Sequence, residues 1–189
     1  MAASRGTLVH LALEHLFERE PAARTPEAAQ ADLERAVEEL REDPEITGLG
    51  LDEEGFARFV EEARALVGRY FELEDPTSIT PIGLELRLEA EVGGLRLRGI
   101  IDRLELDDAG GLVVTDYKTG RAPSQAYQQG RLGGVTFYAL LCEELFGVRP
   151  SKVQLLFLGD GTAITRPRLL VLDEPTRGID VGAKAEVQS

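Results

Sequence analysis

Between residues 6 and 18 apolar positions recur at helical spacing, with Val9, Leu13, Leu16 and Phe17 on one face. Thr25-Pro26 reads as a helix start, threonine as cap and proline at the first helical position, and predicts a helix over 26–42. Asp52 is placed to cap a third helix over 53–72, whose stripe is Phe56, Phe59, Val60, Ala63 and Val67. After Pro76 the period changes from helical to twofold. From Ile79 to Val92, Ile82, Leu84, Leu86 and Leu88 alternate with Glu85, Arg87 and Glu89. Gly93-Gly94 is a hairpin turn signal, Leu95 to Leu106 a second strand, and Leu112 to Lys118 a third. The apolar phase of the second strand switches near Gly99, which predicts a bulge or bend there. A loop from Thr119 to Ser124 leads into a mostly helical stretch, 125–146, interrupted near Gly130 and Gly133-Gly134. Lys152 to Leu158 is a buried-type strand, followed by a turn at Asp160-Gly161. Helices, then βββ, then αβ define an α+β, mixed-sheet class.

Composition narrows the class. The chain has 189 residues, enough for one domain with a real core, and 43% of them are hydrophobic. Nearly all of the net charge of −13 falls in residues 1–75, as acidic helix faces, and 76–167 is close to neutral. That balance argues against gripping nucleic acid by bulk charge but leaves room for a metal and a local patch. The single cysteine, Cys142, excludes a disulfide framework, a cysteine zinc site and an iron–sulfur cluster. No stretch has the ~20 apolar residues needed to span a bilayer, and the start of the chain is no signal peptide, so the cytoplasm is expected, with no membrane partner.

The chemistry concentrates in Gly99-Ile-Ile-Asp102-Arg103 and Val114-Thr-Asp116-Tyr117-Lys118-Thr-Gly120. Asp116 and Lys118 are two apart on one strand and share a face; Asp102 lies on the neighbouring strand. Two carboxylates and a lysine at a strand end suit metal-assisted phosphodiester hydrolysis. Hard oxygens hold Mg²⁺ or Mn²⁺, the ion activates a water, and lysine steadies developing charge. An Asp-x-Lys pair alone is more often a solvated strand face than a site.

These residues, with Gly6-Thr-Leu-Val-His10 on the first helix, Glu85 on the first strand and Phe137-Tyr138-Ala-Leu on the later helix, resemble the PD-(D/E)XK nuclease superfamily in its RecB-like exonuclease branch. The resemblance covers about residues 4–166. It implies a restriction-endonuclease-like αβββαβ core, and a domain over 1–167 with a helical part (1–75) and a sheet core (76–167). It implies that His10, Asp102 and Asp116, with the Tyr117 carbonyl, bind the divalent ion, that Lys118 is the catalytic lysine, and that Glu85 is accessory. Tyr138 would contact DNA. Arg103, Arg121 and Arg131 lie near the proposed site and are candidates for phosphate contact. His15 matches no position and is expected at the surface. The implied activity is a DNA exonuclease of repair or recombination, with DNA and a helicase or repair protein as partners.

Two departures support a second reading, a shortened, inactive relative acting as a DNA-binding or partner module. Gly134 stands where a glutamine is usual, and Met1 falls almost on the Gly-x-x-x-His motif. A third departure is the segment 168–187, which contains Asp173-Glu174-Pro-Thr-Arg-Gly-Ile-Asp180 and resembles the Walker B and D-loop segment of a sugar-importer ABC ATPase. An ATPase fragment is the weakest reading. Lys118, Lys152 and Lys184 follow Tyr, Ser and Ala, so no Gly-Lys-Ser/Thr phosphate loop exists. Residues 168–189 are expected to be an appended tail rather than an independent domain, with Leu169–Leu172 apolar enough to form an extra strand.

Overall fold

The computed structural model describes residues 1–124 and 133–167. The expected extra strand at 169–172 and Arg131 lie outside them. The described chain forms two compact units. One comprises Met1–Thr80, Tyr117–Arg121 and Leu156–Ala163; the other comprises 81–116, 122–124, 133–155 and 164–167.

The helical unit opens with α1 (Ala2–Glu18), which buries Leu8, Val9, Ala12, Leu13, Leu16 and Phe17. Arg19 turns to extended backbone and ends it. Next comes α2 (Pro26–Leu40), started as the sequence predicts: the Thr25 side chain accepts from the Ala28 amide at 3.1 Å. A short α3 (Pro44–Thr47), capped by Asp43, follows where no helix was expected. The Asp52 carboxylate caps α4 (Glu53–Leu73) by accepting from Gly55 at 2.8 Å. Its buried stripe is Phe59, Ala63, Leu66, Val67 and Tyr70. Phe56 and Val60 lie at its half-exposed margin, because Leu66 and Tyr70 carry the face further along than the first apolar residues suggested.

Buried polar groups tie these helices together. Asp32, 2% exposed, accepts both hydrogen bonds of a forked pair from Arg19 at 2.7 Å, and this partner raises the guanidinium pKa further. Arg24, 5% exposed, donates to the carbonyls of Phe17, Arg19, Pro76 and Ile79 and stacks 5.0 Å from the Phe17 ring. It thereby satisfies carbonyls at the end of α1 and fastens them to residues 76–79, two places where no regular ladder is available. His15 is buried, not at the surface: its nitrogens lie 3.4 Å from Glu18 and 3.2 Å from Glu39. Glu18 comes from the same helix and Glu39 from α2, and neither ring nitrogen makes a hydrogen bond.

A five-stranded sheet has the order β1-β2-β3-β4-β5. The antiparallel hairpin of β1 (Pro81–Val92) and β2 (Leu95–Leu106) turns at Gly93 and Gly94, both at positive φ as a tight two-residue hairpin requires. Next to β2, antiparallel, is β3 (Leu112–Lys118). The chain then passes through α5 (Gly133–Phe146); the earlier part of the expected helical stretch, 125–132, lies outside the described residues. It returns as β4 (Lys152–Phe157). Amides of Ser151 and Leu158 donate to the carbonyls of Leu112 and Lys118, so β4 runs parallel to β3. The turn after Phe157 leads to β5 (Thr162–Pro167), a strand too short and polar to stand out in the sequence.

The irregularity expected at Gly99 lies elsewhere. The β1–β2 register shifts between Pro81 and Gly83, and Gly99 pairs regularly with Leu88. Gly99 is needed for packing: a Cβ there would sit 2.7 Å from Phe137 and 3.0 Å from Leu141, so α5 lies directly on the strand backbone. Cys142 of α5 is fully buried, and desolvation pushes its thiol up to about 11. Among the described residues no helix is long and apolar enough to cross a membrane.

Two outcomes follow from this packing. Arg24→Leu leaves four carbonyls without their donor and lowers the unfolding free energy by about 3 kcal/mol in urea titration. Cys142 is unreactive toward a thiol reagent at pH 8 in the folded protein and is labelled at once in denaturant.

Candidate active site

In the sheet unit, three acids fall into one row because of strand register. Arg103 pairs with Thr115 in β2–β3, so one further step sets Asp102 opposite Asp116. Leu84 pairs with Arg103 and Leu86 with Ile101 in β1–β2, which sets Glu85 opposite Asp102. Opposite residues on paired strands lie ~4.5–5.5 Å apart. Asp102 and Asp116 are 7% and 3% exposed, and Glu85 is half-buried. Neighbouring buried carboxylates repel one another, and their charges are costly to desolvate. A site built this way favours a multivalent cation.

Tyr138 of α5 closes on the row. Its hydroxyl donates to Asp116 Oδ1 at 3.2 Å. Burial, then the charge of Asp116 and of Asp102, the hydrogen bond and Glu85 hold the phenol well above its ordinary range, so it stays a donor. The residue expected to meet DNA thus has its hydroxyl on a carboxylate of the row. Glu85 has φ +43, the left-handed region that non-glycine residues occupy at a cost of about 1–2 kcal/mol. Nothing in the local sequence signals this. It sits two residues beyond the register shift, and such outliers concentrate at functional sites.

The helical unit carries the remaining expected residues. His10 Nε2 lies 3.0 Å from the Tyr117 carbonyl oxygen, and the rings of His10 and Tyr70 meet the Tyr117 ring edge-on at 5.9 and 6.0 Å. Nε2 donates to the carbonyl at an ordinary hydrogen-bond length, so the ring carries its proton on that nitrogen. Tyr117 follows Asp116 directly in the chain. Lys118 is exposed at the end of β3, and its carbonyl accepts from the Leu158 amide at 2.8 Å, which anchors the strand end. Arg121 is exposed in the loop beyond.

Arg103 does not fit a phosphate contact. It is 0% exposed, ion-paired with Glu105, and donates to Thr115 Oγ1 at 3.2 Å; Gln154 donates to the same oxygen at 2.8 Å. The residue next to Asp102 belongs to the opposite strand phase, and that face is covered.

The mixed sheet sets two buried aspartates and the half-buried Glu85 side by side, with a lysine at the strand end. The chain belongs to the PD-(D/E)XK nuclease superfamily, whose model matches residues 1–184. Nucleases of this superfamily use divalent metals, and the α+β order with its five-stranded sheet agrees with the restriction-endonuclease-like fold. Short matches of another kind also occur. The chain is 51% identical over 47 residues to a putative ribose/galactose/methyl galactoside import ATP-binding protein of Burkholderia cenocepacia, covering 25% of this chain and 9% of that protein. It is 83% identical over 24 residues to one of Pseudomonas savastanoi, covering 13% and 5%. The chain therefore spans less than a tenth of these relatives. The superfamily match continues to residue 184, through most of the segment expected to be an appended tail.

The burial of Arg103 has a measurable consequence. Arg103→Ala removes the buried ion pair with Glu105 and the hydrogen bond to Thr115 and lowers stability by about 3–5 kcal/mol in thermal or urea unfolding. A surface phosphate contact would change stability by less than about 0.5 kcal/mol.

Proposed function

We propose that this chain is a Mg²⁺- or Mn²⁺-dependent DNA exonuclease of the RecB-like type, acting in repair or recombination in the cytoplasm beside a helicase or repair partner. The observation that carries the reading is the acid row: Asp102 and Asp116, buried and opposed across two strands, with Glu85 beside them. The proposed ligands are Asp102, Asp116, His10 and the Tyr117 carbonyl, with Glu85 accessory. A mixed oxygen and imidazole set suits Mn²⁺ as well as Mg²⁺.

A divalent ion bound by these groups supplies an acidified water and neutralises charge on the phosphate oxygens. The remaining work belongs to the chain. Tyr138 holds Asp116 Oδ1 and so fixes the rotation of that carboxylate. Lys118, fixed by β3 and exposed to the arriving strand, donates to the attacking water or to a phosphate oxygen. Arg121, in the loop that follows, is available to the phosphate backbone. Water oxygen would bond to phosphorus as the bond to the leaving oxygen breaks; the proton lost by the water passes to bulk solvent, and the leaving oxygen takes one up from solvent.

Calorimetric titration with Mn²⁺, wild type beside Asp116→Asn, tests the reading. Stoichiometric binding in the wild type, at least 10-fold weaker in the variant, is expected. Cleavage of end-labelled DNA should fall at least 100-fold with both Asp116→Asn and Lys118→Ala, while Lys118→Ala retains metal binding. A folded wild type that neither binds the ion nor cuts single- or double-stranded DNA would support the inactive-module reading instead.

A further inference from the structure

Two consecutive residues of α4 reach the end of β3 from which Lys118 extends. Tyr70 meets the Tyr117 ring edge-on at 6.0 Å. Its neighbour Arg69, half-buried, places Nη1 on the turn after β4, donating to the Gly159 carbonyl at 3.0 Å and to the Leu158 carbonyl at 3.4 Å. The same turn donates to the strand end. The Leu158 amide meets the Lys118 carbonyl at 2.8 Å, and the Gly159 amide meets the Gly120 carbonyl at 3.1 Å. All of these residues belong to the helical unit. No step of the reaction described above uses Arg69.

The Leu158 carbonyl and the Gly159 amide are the two ends of one planar peptide group. Hydrogen bonds therefore run in series from the Arg69 guanidinium, through that group, to Gly120. A charged donor at one end of such a series strengthens the bond at the other. Residues 119–121 belong to no strand, so these bonds take the place of a ladder just beyond Lys118. The two backbones also lie in direct contact. A Cβ on Gly159 would sit 2.4 Å from the Gly120 carbonyl oxygen and 3.0 Å from the Arg121 amide nitrogen. Glycine is required at 159 for space, and a movement of the turn is passed on to 118–121.

We propose that Arg69 is a positioning residue for Lys118: through the 158–159 peptide group it fixes the end of β3 that carries the lysine. It acts on the strand end rather than on the reacting atoms. The proposal rests on the nuclease reading, in which Lys118 is the catalytic lysine.

The test combines single-turnover cleavage of end-labelled DNA with amide exchange, on the full chain with Mn²⁺. Arg69→Met keeps the stem and removes the donor. It should lower the rate at saturating DNA about 10- to 100-fold and leave KM within about 2-fold. Arg69→Lys keeps a charged donor and should stay within about 3-fold of the wild type, since a single nitrogen makes both bonds. In a Lys118→Ala background, Arg69→Met should cost less than about 2-fold, because no amine is left to place. Gly159→Ala displaces the strand end with Arg69 intact, and its loss should vanish in the same background. A merely structural contact would cost the same whichever residue stands at 118, and that result overturns the proposal. So does a weakened Mn²⁺ affinity of Arg69→Met, which would put the loss at the ion. Exchange is read without cleavage: the Leu158 and Gly159 amides should exchange about 10-fold faster in Arg69→Met, with those of α2 unchanged. Equal exchange at both amides overturns the proposal even if the rate falls. Arg58→Ala, an exposed cation on α4 paired with Glu54, should change neither rate nor exchange. Failure of the nuclease reading looks different: the wild type itself then binds no Mn²⁺ and cuts no DNA, and the role of Arg69 toward Lys118 falls with it.

Discussion

Antiparallel pairing of β2 with β3, in the register that places Arg103 against Thr115, sets the other relations in the sheet unit. With that register Asp102 faces Asp116; slipped by one residue, each would turn to the other side of the sheet. Two buried carboxylates in opposition push the strands apart, so something must hold the register against them. On the alternate phase a polar chain runs from Gln154 of β4 to Thr115 of β3, to Arg103 of β2, and along that strand to Glu105. The bonds of Gln154 and Arg103 to Thr115 each cross to the next strand, and a slipped register would leave buried polar atoms unpaired at ~1–3 kcal/mol each. Apolar contacts alone discriminate registers less sharply. This polar chain therefore holds the β2–β3 register that sets Asp102 opposite Asp116.

The helical unit meets a similar demand differently. The ends of α1 and the 76–79 segment expose carbonyls that no ladder uses, and Arg24 spans them with one planar group. A lysine has three donors on a point charge and would not match that spread. Asp32 with Arg19 repeats the pattern of burying a polar group where a fixed partner waits, whereas His15 is buried near Glu18 and Glu39 without a hydrogen bond to either ring nitrogen. The acidic faces outside are ordinary solvated helix surface, and the net charge of the chain consequently says little about its site.

How much of this was legible depended on whether a signal was local. Thr25-Pro26, Asp52 and Gly93-Gly94 act through hydrogen bonds or dihedrals within a few residues, and each does what its sequence position implies. The opposition of Asp102 and Asp116 was legible because strand alternation and hairpin order set which residues face each other across β2 and β3. Arg103 was not, since an arginine beside a candidate site looks the same whether it faces phosphate or a glutamate two positions on; only the covered face distinguishes them. Gly99 looked like a bend because the apolar phase changes there, but the reason for glycine is the approach of Phe137 and Leu141, residues nearly forty positions away. His15 likewise depended on Glu39 of another helix. The left-handed φ of Glu85 had no sequence signature at all, because glutamate adopts it only under constraint from neighbouring strands.

That last residue also bears on how the acid row responds to a cation. A glutamate held at positive φ opposite Asp102 retains a backbone cost that glycine or asparagine would largely avoid. The cost persists in a fold that has a register shift only two residues earlier, where slack is available to relieve it. If the conformation served only the turn of the strand, glycine would serve better. Glutamate keeps a carboxylate in the row at the price of strain, and the same carboxylate adds repulsion beside Asp102 and Asp116. Both burdens diminish when positive charge enters among the three. On the proposed reading, a cation held among the three would offset that repulsion and add to stability by mass action.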